Sequence, residues 1–216
     1  QSYSFILYLA PGVNLEKISS YIDPQSPYIK FYKGSSGKII KKQSKMFIET
    51  KDGNLVYLYQ NFPAYHQISQ SDLALTTVGT ITKELGQLGV PMIVLTPYML
   101  ASHKLYEFNK WDGLMGLLTK IPFIGKFCIK TFSRWALKKP KLLAWPNMER
   151  KKELVPEVRS AMTSKELALF TQNLLDDHKK CERIRSELLS STLKAEKEQP
   201  SEKIVEMIKA QLELEP

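Results

Sequence analysis

The stretch LTTVGTITKELGQLGVPMIVLTP, residues 75–97, narrows the fold more than any other part of the chain. An apolar run at Leu73–Thr76 passes through the small-residue turn Thr77-Val78-Gly79-Thr80 into a helical pattern over Ile81–Gly89. An uninterrupted apolar run then follows at Pro91–Leu95. Strand, helix and strand in this order imply a parallel α/β sheet with covered faces. The fold class expected is therefore a Rossmann-like parallel sheet with flanking helices, ending in a helical C-terminal tail.

The turn between strand and helix lies at the carboxyl edge of such a sheet, where ligands of open α/β sheets bind. Gly79 lets the backbone approach a phosphate closely, and the Thr80 and Thr82 hydroxyls are donors for its oxygens. Glu84, one turn into the helix, has the chemistry to accept paired hydrogen bonds from a vicinal diol such as a ribose. A plainer reading competes: Thr80 caps the helix with its hydroxyl and Glu84 favours the dipole.

Elsewhere the pattern is read more coarsely. Phe5–Leu9 is a strand closed by Pro11-Gly12, and Leu15–Ile22 is a short amphipathic helix. Lys45–Gln60 reads as a hairpin around Asp52-Gly53. Phe62–Asp72 reads as a short helix leading into the next strand, Met99–Asp112 as a helix, and Lys141–Asn147 (KLLAWPN) as a short strand ending in a Pro-Asn turn. Helices follow over Ser164–Leu175, Asp177–Lys194 and Ser201–Leu214, the first with a capping box from Thr163 to Glu166. Residues 1–160 are thus one expected domain, and 161–216 are C-terminal helices packing on it or on another domain.

The chain begins at Gln1 and enters a strand at once, which points to a longer parent chain. Two cysteines, Cys128 and Cys181, give no disulfide framework and fit a reducing cytosol; His66, His103 and His178 have no metal-ligand spacing. No run of about 18 apolar residues is present to span a membrane. Trp111 and Trp135 read equally as interfacial anchors and as packing residues.

The net charge of +9 calls for an anionic partner. Gly113–Met148 holds no acidic residue but contains Lys120, Lys126, Lys130, Arg134, Lys138, Lys139 and Lys141. Phe123, Phe127, Trp135 and several aliphatic residues lie between them, the composition of an interfacial element on an anionic membrane surface. A packing helix pair with solvated cations is the competing reading. Nucleic acid is set aside, because no recognition-helix, RNA-platform or zinc-finger pattern accompanies the charge.

VGTITKELGQLGVPMIV (Val78–Val94) resembles the nucleotide-binding motif of the lipid-A-disaccharide synthase family, a Ser-Gly-Thr-x-Thr-x-Glu turn and helix leading into an apolar strand. LLAWPNMERKKELVPE (Leu142–Glu157) is similar to that family's Pro-Asn turn and Glu-Leu-Val-x-Glu segment, and SQSDLAL (Ser69–Leu75) to the stretch before the first motif. The resemblance implies the C-terminal, UDP-sugar-binding half of a two-domain (GT-B) glycosyltransferase. Such an enzyme passes a sugar, acylated glucosamine in the family, from UDP to a lipid-linked acceptor without a metal or other cofactor.

Carried over, Gly79, Thr80 and Thr82 meet the diphosphate and Glu84 the ribose. Pro146 and Asn147 border the donor pocket and Glu153 braces that loop. Apart from the resemblance, Lys83 and Arg150 read either as cationic helpers or as solvated surface charges. The family's Pro-Gly-Ser-Arg loop and N-terminal acceptor domain have no counterpart in these residues, so catalytic residues are expected in a further N-terminal domain. This half alone is then inactive. The hairpin around Asp52-Gly53 and the segment near 111–140 read as insertions. Expected partners are the UDP-sugar, a lipid acceptor, the N-terminal domain, the anionic inner face of the membrane from its cytoplasmic side, and a second copy as a homodimer. The alternatives left open are another UDP-sugar enzyme (an epimerase or glycolipid synthase) and a non-catalytic membrane-binding module with a degenerate nucleotide fold.

The basic segment generates a test of its own. The protein is expected to co-sediment with anionic liposomes far more than with neutral ones. Retention should fall as salt shortens the screening length from about 10 Å at 0.1 M to about 3 Å at 1 M. Replacing Lys126, Lys130 and Arg134 together by Glu should release it, and unchanged sedimentation of that variant would mark the cations as a solvated face.

Overall fold

The computed structural model describes residues 3–96, 142–160, 162–197 and 208–209. The expected helices at Met99–Asp112 and Ser201–Leu214 lie wholly or almost wholly outside them. So do His103, Trp111, Cys128 and the candidate membrane contacts Lys120, Phe123, Lys126, Phe127, Lys130, Arg134 and Trp135.

The described chain is mixed α/β, with two sheets. The first has strand order β1-β4-β3-β2, built from β1 (Phe5–Tyr8), β2 (Gly37–Lys42), β3 (Lys45–Thr50) and β4 (Leu55–Tyr59). β1 pairs parallel with β4, and the other neighbours are antiparallel. Helix α1 (Leu15–Ile22) starts where the Asn14 side chain accepts the Glu16 N–H at 2.7 Å, and it lays Ile18 against Ile48 and Leu58. Leu15 and Ile22, spaced to share that face, pack beside them. A second short helix, α2 (Pro27–Tyr32), follows with proline in its first turn, where a missing N–H costs nothing.

The Asp52-Gly53 hairpin forms as its turn signal predicts, with Gly53 at φ 81°. The β2–β3 hairpin was not signalled. Its turn is Gln43-Ser44, both with positive φ (47° and 66°), a conformation usually announced by asparagine or glycine. Along β1, Phe5, Ile6 and Leu7 are all exposed, and among the described residues this strand is bonded on one side only.

The second sheet is the parallel one that residues 75–97 foretold. Its order is β5 (Ala74–Thr77), β6 (Met92–Leu95), β7 (Glu157–Val158), all parallel, with helix α3 (Tyr65–Ser69) leading in and α4 (Ile81–Gln87) crossing from β5 to β6. The parallel sheet expected from the strand-helix-strand pattern is therefore formed here, while β1–β4 form a sheet of their own. Met92, Ile93 and Val94 in the central strand are fully buried. They join Leu85, Val90, Ala144, Val155, Val158, Leu174, Ile184 and Leu188 in the main core. Each of the Val, Leu, Ile and Met side chains contributes about 1.5–3 kcal/mol by leaving water.

Of the strand expected over Lys141–Asn147, Lys141 lies outside the described residues and the rest is not a strand. Leu142–Ala144 are irregular and a helix, α5, runs Trp145–Arg150. Pro146 falls in its first turn, where proline favours helix initiation, and the preceding N–H groups bond to a side chain instead of a strand ladder. Helices α6 (Ser164–Asp176) and α7 (His178–Lys197) complete the fold, and the capping box is present: Glu166 N–H donates to Thr163 Oγ1 at 3.3 Å and Thr163 N–H to Glu166 Oε2 at 2.7 Å.

Helix α7 packs against α4 and closes over Gly89, which has φ 67°. A Cβ there would lie 2.7 Å from Leu189 Cγ. Gly89→Ala therefore combines left-handed strain with overpacking and should lower stability by about 1–3 kcal/mol in urea melts, whereas Gly12→Ala, at φ 80° with open space around it, should show the strain alone.

Candidate functional site at the carboxyl edge of the parallel sheet

The carboxyl ends of β5, β6 and β7 lead into Val78-Gly79-Thr80, Thr96 and Arg159. Gly79 and Thr80 are exposed, and a Cβ at Gly79 would meet nothing within 4 Å, so space adjoins this turn. Thr80 occupies the N-cap position of α4, but its hydroxyl makes no capping hydrogen bond. The plain capping role that its position suggested is therefore not taken up. Glu84 is half-buried, and among the described residues its carboxylate has no hydrogen bond or ion pair.

Other expected contacts turn inward. Thr82 is 1% exposed; its hydroxyl donates to Gly79 O at 2.8 Å and accepts the Trp145 N–H at 3.1 Å. It fastens the turn to the start of α5 and has no free face for a phosphate. Pro146 and Asn147 are buried. Pro146 packs over Gly86, where its Cγ lies 3.2 Å from the position of an added Cβ. The Asn147 amide donates to Val155 O and Glu157 Oε1, both at 2.8 Å, and its carbonyl accepts the Leu154 and Val155 N–H groups at 2.7 and 2.9 Å. Every polar capacity of that side chain is used within the fold.

The loop is braced mainly by Glu157, not by Glu153. Glu153 is exposed and reaches only the Glu157 N–H at 3.5 Å. Glu157 Oε1 accepts the N–H groups of Leu143 and Ala144 at 2.9 Å as well as the Asn147 amide, and Oε2 pairs with Arg159 at 3.0 Å. Arg150 is likewise spoken for: its guanidinium reaches Glu187 Oε2 at 3.3 Å, the Glu187 carbonyl, and the Ser190 and Ser191 hydroxyls at 2.8 Å, tying α5 to α7. Lys83 stands with Nζ 4.9 Å from the Trp145 ring centroid, a cation–π contact at the mouth of the same region. The Trp145 indole N–H donates to Glu149 at 2.6 Å.

Glu157, Arg159 and Trp145 were not singled out from the sequence. The signal that was available is an acid and a base set around Val158 in an otherwise apolar segment, LVPEVR. Among the described residues no group of three or more His, Cys, Asp or Glu could hold a metal ion, and no helix is long and apolar enough to cross a membrane. No family model, curated protein or solved structure matches the chain.

Burial opposes ionisation of Glu157, yet the Ala144 N–H, the Asn147 amide, the Leu143 N–H and the Arg159 guanidinium outweigh it and hold the carboxyl below the ordinary glutamate range. A depressed folded-state value means that the stabilisation is complete above the unfolded value of about 4.3 and is lost as pH falls through the folded one. Glu157→Gln should cost about 2–3 kcal/mol at pH 7, by leaving Arg159 unpaired. The gap between the urea midpoints of parent and variant should narrow as pH falls below about 4.3; a gap independent of pH would show that the charge is not what holds the loop.

Proposed function

We propose that this chain is the donor-binding half of a GT-B glycosyltransferase resembling lipid-A-disaccharide synthase. In this reading it holds a UDP-sugar while a further N-terminal domain presents a lipid-linked acceptor at an anionic membrane surface. The observation that carries it is Glu84. A half-buried carboxylate without a partner among the described residues stands one turn beyond the open Gly79-Thr80 turn, at the edge of a parallel sheet. Neither oxygen of that carboxylate is sealed from solvent, so it is an accessible acceptor for the two hydroxyls of a diol.

Chemically, departure of UDP builds negative charge on the diphosphate, and fixed donors aimed at that charge speed the step. Thr80 has an uncommitted hydroxyl beside the open space at Gly79. Thr82 holds the turn in place from behind, and Lys83 adds a cation kept near by Trp145. No residue described here is assigned proton transfer, which falls to the other half of the enzyme.

Glu84→Ala is expected to weaken UDP binding by about 1–3 kcal/mol in calorimetric titration, the scale of hydrogen bonds to a charged group. The unliganded melting temperature should stay nearly unchanged, because no described contact is lost. Equal UDP affinity of parent and variant would remove the ribose assignment. Absence of UDP binding in the parent would favour the non-catalytic module instead.

A further inference from the structure

Arg159 follows β7 directly, at the same end of the sheet as the Gly79-Thr80 turn. Its position is fixed from both sides. The next strand holds it in register, since the Thr96 N–H and hydroxyl both donate to Val158 O, at 3.1 and 2.8 Å. One terminal guanidinium nitrogen donates to Glu157 Oε2 at 3.0 Å, and Glu157 is in turn held by Leu143, Ala144 and Asn147. A continuous path of hydrogen bonds and chain then runs from Ala144 to the Trp145 N–H, on to Thr82, and to the carbonyl of Gly79. Arg159 and the candidate donor turn thus belong to one rigid frame.

The arginine is under-used by that frame. A guanidinium has five N–H donors and stays charged at all working pH values. Here the Nε–H is buried without a hydrogen-bond partner, while the side chain as a whole remains 20% exposed. Neutralising Glu157 needs only a point charge, which a lysine would supply. A planar fork held at one tip by a carboxylate, with its other terminal nitrogen unbonded among the described residues and part of the side chain reaching solvent, suits an incoming tetrahedral oxyanion. Arg150 is engaged on α7, so it offers no free fork.

We propose that Arg159 binds phosphate oxygens of a nucleoside diphosphate lying across the carboxyl edge of the sheet, with Glu157 as its positioning residue. This rests on the nucleotide reading above. Two strand spacings, about 10 Å, separate β7 from β5. An extended arginine and a diphosphate span that distance together, so the nucleoside end stays near Glu84 and the phosphates reach toward β7.

The test is calorimetric titration of the full chain with UDP, uridine and inorganic pyrophosphate, for the parent, Arg159→Met and Arg159→Lys. Arg159→Met should lose about tenfold or more in affinity for UDP and pyrophosphate while uridine binding is unchanged, and its UDP affinity should depend less on salt. Arg159→Lys keeps a cation opposite Glu157, so it reports on the site even if the neutral variant fails to fold. It should lose about fivefold for UDP, because a point charge replaces the fork. UDP affinity within about twofold of the parent in both folded variants would overturn the assignment to Arg159 while leaving the nucleotide reading intact. An equal loss for uridine and UDP would also overturn it, by showing a purely structural role. Pyrophosphate binding that depends on Arg159, with UDP no tighter than pyrophosphate, would keep Arg159 and discard the nucleotide reading. No binding of either by the parent would discard both.

Discussion

The Glu157 carboxylate is the point on which the parallel half of this protein depends. One side chain, fully removed from water, receives two main-chain N–H groups from the loop before α5, an amide from Asn147 and a guanidinium from Arg159. An ion of this kind is tolerated inside a protein only when nearly every lone pair is met, and here the burial cost is offset by four donors. The consequence reaches beyond β7. Because Glu157 takes up the Leu143 and Ala144 N–H groups, the segment has no need of a neighbouring strand and turns at once into a helix. That helix brings Trp145 to Thr82 and Arg150 to Glu187, so α4, α5 and α7 are locked in one arrangement.

This arrangement divides the polar residues of the region into two kinds. Thr82, Asn147 and Arg150 carry the right chemistry for ligand contact but spend it internally. Thr80, Glu84 and the inner nitrogen of Arg159 are left with capacity that the described fold does not use. The second kind is the capacity that the proposed nucleotide would draw on, and the first kind supplies the rigidity that would make such a site selective.

What could be read from the sequence follows from the range of the forces involved. The β5–α4–β6 unit was legible because apolar spacing and a small-residue turn are local signals, and the Thr163–Glu166 capping box was legible for the same reason. The β2–β3 hairpin was hidden because Gln43-Ser44 has no turn-forming chemistry of its own, and pairing of Ile39 and Ile40 with Ile48 and Phe47 enforces it. The helix at Trp145 was hidden behind a bond to Glu157, 13 residues from Ala144. The inward role of Thr82 was equally hidden, since its partner Trp145 is 63 residues away. A polar side chain's commitment is decided by such distant partners, so the list of candidate residues could be drawn from the sequence but not their division into frame and face.

The open edge of β1 has a consequence of a colloidal kind. Three consecutive large apolar residues, Phe5, Ile6 and Leu7, stand exposed on a strand whose outer N–H and C=O groups are unclaimed among the described residues. Such an edge is a template on which another strand can grow, with neither proline nor bulge to blunt it. Long-range repulsion between copies bearing a charge of +9 works against that growth. Where nothing beyond the described residues covers that edge, added salt strips this protection away while leaving the strand's attraction in place, and dilute, low-salt solution then favours separate molecules.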